Sequence, residues 1–92
     1  MKTRVVNLRK EPYDVYIGRP GKWGNPFTLG KDGNRAEVIE KYRQWILFEG
    51  IYKLKDLQEL KGKRLGCYCA PLPCHGDVLV KLVEEYCNDS IV

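Results

Sequence analysis

The sequence lacks the features that would place it in a membrane, in a secretory pathway or among repeat proteins. It has no run of about eighteen consecutive apolar residues, which a membrane-spanning helix needs. Residues 1–9 have Lys and Arg scattered through them and lack the apolar core of a signal peptide. The chain also has no internal repeat and no low-complexity tract. These absences predict one globular domain over residues 1–92 that is cytoplasmic and has no membrane partner.

Histidine is scarce, and the few cysteines are unevenly distributed. Three of the four cysteines, the single histidine and two of the five prolines lie in residues 67–77, C-Y-C-A-P-L-P-C-H-G-D. In a reducing cytoplasm such cysteines are better interpreted as thiols or metal ligands than as a disulfide framework. Cys67 and Cys69 would also be an awkward pair to bridge to each other within a strand. This segment is therefore the best candidate site for any special chemistry.

Positive charge is concentrated at the front of the chain. Residues 1–35 carry eight Lys or Arg against three Asp or Glu, whereas the remainder carries eight against nine. This asymmetry favours an anionic partner such as a nucleotide, a phosphate ester or nucleic acid. The alternative interpretation is a solvated basic face with no partner.

Hydrophobic patterning predicts strands at residues 4–8, 13–18 and 63–69 and a main helix to about Phe48. The helix begins at Asn34, a good N-cap with Glu37 three residues later. In the last strand, alternation places Leu65, Cys67 and Cys69 on one face.

The remaining patterns predict a short element and a closing helix. Leucines at spacing three from 54 to 60 predict a short helix or 3₁₀ segment, bounded by Gly50 and Gly62. A closing helix starts near Gly76, with an apolar stripe that ends at Tyr86, and the tail from Cys87 is expected to fray. The predicted fold is a small α/β or α+β domain, with about three strands and two to three helices packed on the sheet.

Residues 19–33 form a long irregular segment with four glycines and two prolines. A loop of this length in a small domain is usually functional or disordered, and its aromatic content favours an ordered second wall of a site. In that role Arg19 and Lys22 would hold phosphate, Asn25 would read a polar edge and Trp23 would stack on a base. Alternatively, Trp23 and Phe27 only plug an end of the core. The segment is not a Walker loop, because it lacks that spacing and the following Ser or Thr.

Metal binding is one interpretation of the cysteine segment. Cys67, Cys69, Cys74 and His75 are four donors of the right chemistry for tetrahedral zinc. The spacing does not resemble the usual structural sites, and adjacent residues such as Cys74 and His75 tend to point apart. Zinc is therefore not the preferred cofactor. An iron–sulfur cluster would additionally need Cys87.

A second interpretation concerns the start of the closing helix. Unpaired N–H groups and the helix dipole there would lower the pKa of Cys74 and make it a candidate nucleophile beside His75. Gly76 would let a ligand or backbone approach closely, and Asp77 could orient His75 or accept a proton. The alternatives are that Cys74 is a small buried residue and that Asp77 only complements the dipole.

Three motifs together resemble one family. W-G-N-P-F at residues 23–27, V-Y-I-G-R at 15–19 and C-Y-C-A-P-L-P-C-H-G-D-V-L at 67–79 are similar to small phage and bacterial proteins grouped as domain of unknown function 4326. The resemblance covers nearly the whole chain. It implies a phage or bacterial intracellular protein, cytoplasmic in a bacterial host if phage-encoded. It marks the two loops as signatures and implies no reaction.

Two hypotheses arise from these observations. The first is a domain that binds a small anionic ligand, with a nucleotide or nucleoside derivative as the leading candidate, between the residue 23–27 loop and the helix start at residues 74–77. Catalysis through Cys74, His75 and Asp77 is left open. The second is a non-enzymatic module in which zinc or buried thiols hold the cysteine loop. In this module the basic surface formed by residues 1–35 would bind nucleic acid or a host protein.

Overall fold

The protein is built around a three-stranded parallel sheet. The computed structural model describes residues 2–19, 21–49 and 55–87. Strand β1 is Arg4–Asn7, β2 is Val15–Tyr16 and β3 is Arg64–Cys67, in the spatial order β1-β3-β2. Both β1 and β2 pair parallel to β3. The predicted α/β class is confirmed.

Strand β3 is central because its residues can be buried on both faces. Leu65, Gly66 and Cys67 are all buried. A Cβ at Gly66 would lie 2.6 Å from Cγ of Tyr13, so the absence of a side chain lets the segment before β2 approach β3 closely. The prediction of a strand here is confirmed, although the strand ends at Cys67 and not at Cys69.

The strand ends early because neighbouring groups redirect the chain. The Asn7 side-chain amide donates to the carbonyl of Ala70 at 2.9 Å, and the Leu72 amide donates to the carbonyl of Cys69 at 2.7 Å. Cys69 therefore lies in a turn, and the predicted common strand face of Cys67 and Cys69 is not formed.

Helix α1 spans Arg35–Phe48 and begins as predicted. The Asn34 side chain accepts from the Glu37 amide, and the Glu37 carboxylate accepts from the Asn34 amide, both at 2.9 Å. This reciprocal capping box satisfies two backbone donors that the first turn would leave unpaired. Val38, Tyr42 and Ile46 recur every four residues and form the buried face of the helix.

A 3₁₀ helix at Leu57–Leu60 buries both of its leucines. It confirms the short element that the leucine spacing predicts. The parts of that prediction that concern Gly50 and Leu54 fall outside the described residues.

Helix α2 spans His75–Tyr86, and Cys74 is its N-cap. Its buried face continues to Cys87, which is 5% exposed, whereas Tyr86 is 58% exposed. Cys87 lies four residues after Val83, so it falls on the same helix face, and its amide donates to the Val83 carbonyl at 2.8 Å. The predictions of a buried Tyr86 and of fraying from Cys87 are therefore corrected at these two positions; residues 88–92 are outside the description.

Within the described residues, neither α-helix is both long enough and apolar enough to cross a membrane.

Candidate functional site

The parallel sheet brings the segments that follow β2 and β3 to one edge. Strands β2 and β3 run in the same direction, so the chain leaves both strands at their common carboxyl end. Strand β2 leads into the aromatic loop, residues 19–33, and β3 leads into the cysteine loop, residues 68–74. Ligand sites of α/β proteins commonly occur beyond this edge.

A cleft of about 430 Å³ lies between these segments. Its size is within the range of small-molecule sites. The part of the chain around β2 and the aromatic loop contributes Tyr16, Gly18, Arg19, Asn25, Phe27 and Leu29. Helix α1 contributes Arg35, Val38 and Ile39, and β3 with the cysteine loop and the start of α2 contributes Cys67, Tyr68, Cys69, Cys74 and His75. The aromatic loop and the cysteine loop therefore meet in one cleft.

The rim of the cleft, defined as Arg19 and Arg35, is cationic. Arg19 is exposed, with Nη1 3.4 Å from the Thr28 hydroxyl. Arg35 is half-buried, and its Nη1 donates to the Pro73 carbonyl at 3.0 Å, which joins the start of α1 to the cysteine loop. None of the described lining residues is Asp or Glu. The cleft therefore presents positive charge without an internal counter-ion.

The side walls are aromatic and aliphatic. Phe27 is half-buried, Tyr68 is 54% exposed, and both line the cleft. Val38 and Ile39 from α1 form the aliphatic part of the wall. Such surfaces suit a flat or apolar ligand body.

The floor of the cleft, defined as Cys67, Cys74 and His75, is buried. The sulfur atoms of Cys67 and Cys74 lie 3.6 Å apart, and the Cys74 sulfur accepts from the Gly76 amide at 3.3 Å. Burial, reinforced by the neighbouring Cys67, raises the pKa of Cys74 to about 12, and the Gly76 amide opposes this only in part. The direction is opposite to the lowered pKa that the helix start predicts, because desolvation outweighs the hydrogen bond from the Gly76 amide.

His75 connects α2 to the end of β2. Its Nε2 lies 2.6 Å from the Ile17 carbonyl, so Nε2 carries the proton and donates it. The ring also packs edge-on against Tyr42, with 4.9 Å between ring centroids. Burial lowers the pKa of His75, although the Ile17 carbonyl acts in the opposite direction. His75 is thus a neutral, buried group whose described contacts serve packing.

Asp77 and Gly76 serve the helix start and the core. The Asp77 carboxylate accepts from the Cys74 amide at 3.1 Å and completes the capping box, and Asp77 does not line the cleft. A Cβ at Gly76 would lie 2.7 Å from Cδ1 of Ile17 and 2.8 Å from Cγ2 of Val5. The close approach at Gly76 is therefore made by core side chains, which corrects the expected approach of a ligand.

Two predicted ligand contacts of the aromatic loop face elsewhere. Trp23 is 2% exposed, and its indole N–H donates to the Glu59 carboxylate at 2.7 Å. Lys22 pairs with Asp56 at 2.9 Å and with Glu59 at 3.2 Å. Neither Lys22 nor Trp23 lines the cleft. Trp23 therefore fills the core, as the alternative interpretation has it. The stacking role predicted for Trp23 and the phosphate contact predicted for Lys22 are corrected.

Asn25 lines the cleft but uses its amide within the fold. Its oxygen accepts from the Phe27 amide at 2.9 Å, and its nitrogen donates to the Val38 carbonyl at 3.2 Å. These bonds fasten the aromatic loop to α1 and fix the backbone at Phe27.

The four candidate metal ligands do not form a coordination set. Among the described residues, no group of three or more His, Cys, Asp or Glu side chains is arranged to hold a metal ion. His75 is engaged with Ile17, and Cys69 lies in the turn after β3. Cys87 is at the far end of α2, about 20 Å along the helix from Cys74, which separates it from the other cysteines.

Sequence reasoning missed Arg35, Tyr16 and Tyr68 as cleft residues. Arg35 carried a usable signal, since a basic residue in the first turn of a helix is unfavourable for the helix dipole and suggests another purpose. Tyr16 and Tyr68 carried no such signal. Alternation along a short strand separates the two faces of the sheet, but it does not show at which end of the sheet a cleft opens.

The sequence profile of a family described as Domain of unknown function (DUF4326) matches residues 2–85. An uncharacterised 12.4 kDa protein from the nrdA-td intergenic region of Enterobacteria phage T4 is 40% identical over 91 residues, which cover 95% of this chain and 82% of the relative. No solved structure matches this chain.

Proposed function

The chain belongs to the family described as Domain of unknown function (DUF4326), and we propose that it binds a small anionic ligand with an aromatic body, such as a nucleotide. One observation carries the proposal. The cleft has two arginines on its rim and aromatic side chains on its walls, and none of its described lining residues is acidic.

The charge of the rim supports the choice of an anion. An arginine presents planar N–H donors that match phosphate oxygens and remains charged at all relevant pH values. Arg19 and Arg35 come from different elements, so a ligand between them would touch both the aromatic loop and α1. We assign phosphate contact to this pair in place of Lys22.

The walls support an aromatic or apolar ligand body. Phe27 and Tyr68 line the cleft, and base stacking on an aromatic side chain contributes about 1–3 kcal/mol per base. The Arg9 guanidinium lies over the Tyr68 ring, so a base would stack on the other face of that ring. Asn25 supports this arrangement indirectly through its bond to the Phe27 amide. We assign stacking to Phe27 and Tyr68 in place of Trp23.

The floor favours binding over catalysis in this proposal. A thiol whose pKa is raised to about 12 is protonated at neutral pH and is a poor nucleophile. His75 already donates to Ile17, and Asp77 caps α2 outside the cleft. The three candidate catalytic residues therefore do not form a nucleophile, base and orienting acid in the described structure.

Titration calorimetry and protein-detected NMR test the proposal. The purified protein is titrated with nucleoside mono-, di- and triphosphates, with an uncharged nucleoside and with inorganic phosphate. We expect a phosphorylated nucleoside to bind more tightly than either part alone. The proposal fails if no member of this series shifts the amide resonances of the cleft.

Matched arginine variants locate the binding. Arg19→Gln and Arg35→Gln should each weaken nucleotide binding by about tenfold, the effect expected for one charge-assisted hydrogen bond. Arg43→Gln is the control, because Arg43 pairs with Glu40 at 2.7 Å and does not line the cleft. Equal weakening by all three variants would show a general charge effect and contradict a site at the rim.

The nucleic-acid module remains a second candidate, supported by one contact. The Arg9 guanidinium lies 4.9 Å over the ring of Tyr68, which is exposed and also lines the cleft. This pair extends the basic surface outward from the cleft. If oligonucleotides bind more tightly than mononucleotides, and their affinity falls steeply as salt rises, the larger ligand is the correct one.

A further inference from the structure

We propose that Cys67 and Cys74 form a modification site, at which the two thiols convert reversibly into an intramolecular disulfide at the floor of the cleft. Their sulfur atoms lie 3.6 Å apart, and their backbone positions are separated by the six residues 68–73. The proposal is independent of the ligand proposed above. It concerns the oxidised form of the protein, whereas reduced thiols are expected at rest in the cytoplasm.

Regular structure holds both cysteines in place. Cys67 is the last residue of β3, paired with Asn7, and its carbonyl accepts from the Leu8 amide at 3.0 Å. Cys74 is held by the capping box with Asp77. The sulfur–sulfur approach is therefore a consequence of how β3 and α2 are anchored.

The movement that the bond requires is small. A disulfide has an S–S distance of about 2.05 Å, so the sulfurs must approach by roughly 1.5 Å, which rotation of the two side chains can supply. The Gly76 amide, which donates to the Cys74 sulfur, can keep a sulfur acceptor after oxidation. The helix cap is therefore compatible with the oxidised pair.

The surroundings make this pair selective among the four cysteines. Cys67 and Cys74 are each 3% exposed and line the cleft, so the cleft is the side from which an oxidant would have to approach them. Cys69 also lines the cleft but lies in the turn beyond β3. Cys87 is buried at the other end of α2 and has no described cysteine partner.

The chemistry balances with a low-molecular-weight disulfide as the oxidant. One of the two thiols first loses its proton to solvent, which for Cys74 is infrequent at neutral pH because burial raises its pKa to about 12. The resulting thiolate attacks one sulfur of the oxidant, forms a mixed disulfide and releases one thiolate. The second cysteine thiolate attacks the protein-bound sulfur of that mixed disulfide, closes the Cys67–Cys74 bond and releases the second thiolate. The protein pair loses two electrons and two protons, and the oxidant becomes two thiols.

Mass spectrometry after oxidation tests the proposal on the whole wild-type chain. The protein is equilibrated with mixtures of oxidised and reduced glutathione, unfolded in the presence of an alkylating reagent, and weighed. We expect two of the four thiols to be protected from alkylation. The mass should be that of the chain with two alkyl groups, less two hydrogen atoms, and without bound glutathione. Prior reduction with dithiothreitol should make all four thiols available for alkylation again. Four alkylated thiols in the most oxidising mixture, or glutathione adducts alone, would overturn the proposal.

Variants identify the linked residues. Cleavage after Tyr68 separates Cys67 from the other cysteines, and Cys69→Ser removes any ambiguity between Cys69 and Cys74. We expect the link in Cys69→Ser and Cys87→Ser and its loss in Cys67→Ala and Cys74→Ala. A link that persists in Cys74→Ala would overturn the assignment, and the wild-type result stands as evidence if an alanine variant fails to fold.

Discussion

The floor and the rim of the cleft use their polar groups in different ways. On the floor, His75 is 8% exposed and its Nε2 is committed to Ile17, while the Cys67 and Cys74 sulfurs contact each other. On the rim, Arg19 is exposed and has one long contact at 3.4 Å, whereas Arg35 is half-buried and donates from Nη1 to the Pro73 carbonyl at 3.0 Å. The residues with the most reactive chemistry are thus the ones most involved in the fold.

The difference indicates that ligand binding is better sought on the rim of the cleft than on its floor. Burial raises the pKa of Cys74 and lowers the pKa of His75, so it disfavours the thiolate and the imidazolium at neutral pH. Arginine stays charged regardless of burial, so the rim retains its capacity to attract an anion. Substitutions on the floor should therefore change stability, and those on the rim should change binding.

The strongest test of this comparison is His75→Ala. The substitution leaves the Ile17 carbonyl without its donor and opens a cavity beside Tyr42, so we expect the free energy of unfolding to fall by about 3 kcal/mol. Urea denaturation measures it. His75→Gln retains an N–H donor and should lose less. A loss below about 1 kcal/mol in His75→Ala would mean that His75 is not a structural residue.

Gly76→Ala should have the next largest effect. The added Cβ would meet Ile17 at 2.7 Å and Val5 at 2.8 Å, and the strain should exceed the helix propensity that alanine adds, for a net loss of about 1.5 kcal/mol. Lys81→Ala, at an exposed position of the same helix, is the matched control for denaturation. An unchanged or higher stability in Gly76→Ala would show that the core can accommodate the methyl group.

The pH dependence of stability sharpens the comparison further. The folded protein has a His75 pKa below the ordinary value of 6.5, so the unfolded chain binds a proton first as the pH falls. Stability should be maintained above pH 6.5 and decrease below it, by at most about 1.4 kcal/mol per pH unit.

Thermal melts between about pH 7.5 and 5.5 measure this effect. The pKa values of Asp14 and Glu40 are lowered to about 2 by Arg64 and Arg43, so these carboxylates lose their ion pairs only at more acidic pH. His75→Gln is the control and should show a flat profile in this range. A wild-type profile that is equally flat would contradict the lowered pKa.

The smallest expected effect is on the rim. Arg19→Gln should change the free energy of unfolding by less than about 0.5 kcal/mol, because an exposed contact of this length contributes little. Arg43→Gln serves again as the exposed arginine control. If Arg19→Gln destabilises the protein as much as Gly76→Ala does, the distinction between floor and rim is lost.

Much of the local structure could be predicted from the sequence. The Asn34 and Glu37 pair marks the start of α1, and the leucine spacing marks the 3₁₀ helix, because caps and periodicity act between residues close in the chain. The boundary of β3 could not be predicted as well. It depends on the bond from Asn7 to Ala70, which are 63 positions apart.

Periodicity and capping residues along the chain are enough to predict the main elements, the α/β class and the two segments that reach the same sheet edge. Which polar atoms remain available at that edge depends on how the elements pack. His75 is taken by Ile17 across 58 positions, and Trp23 by Glu59 across 36. Such partners are set by how strands and helices pack, and burial then sets the pKa of each group, so neither can be deduced from the spacing of residues along the chain.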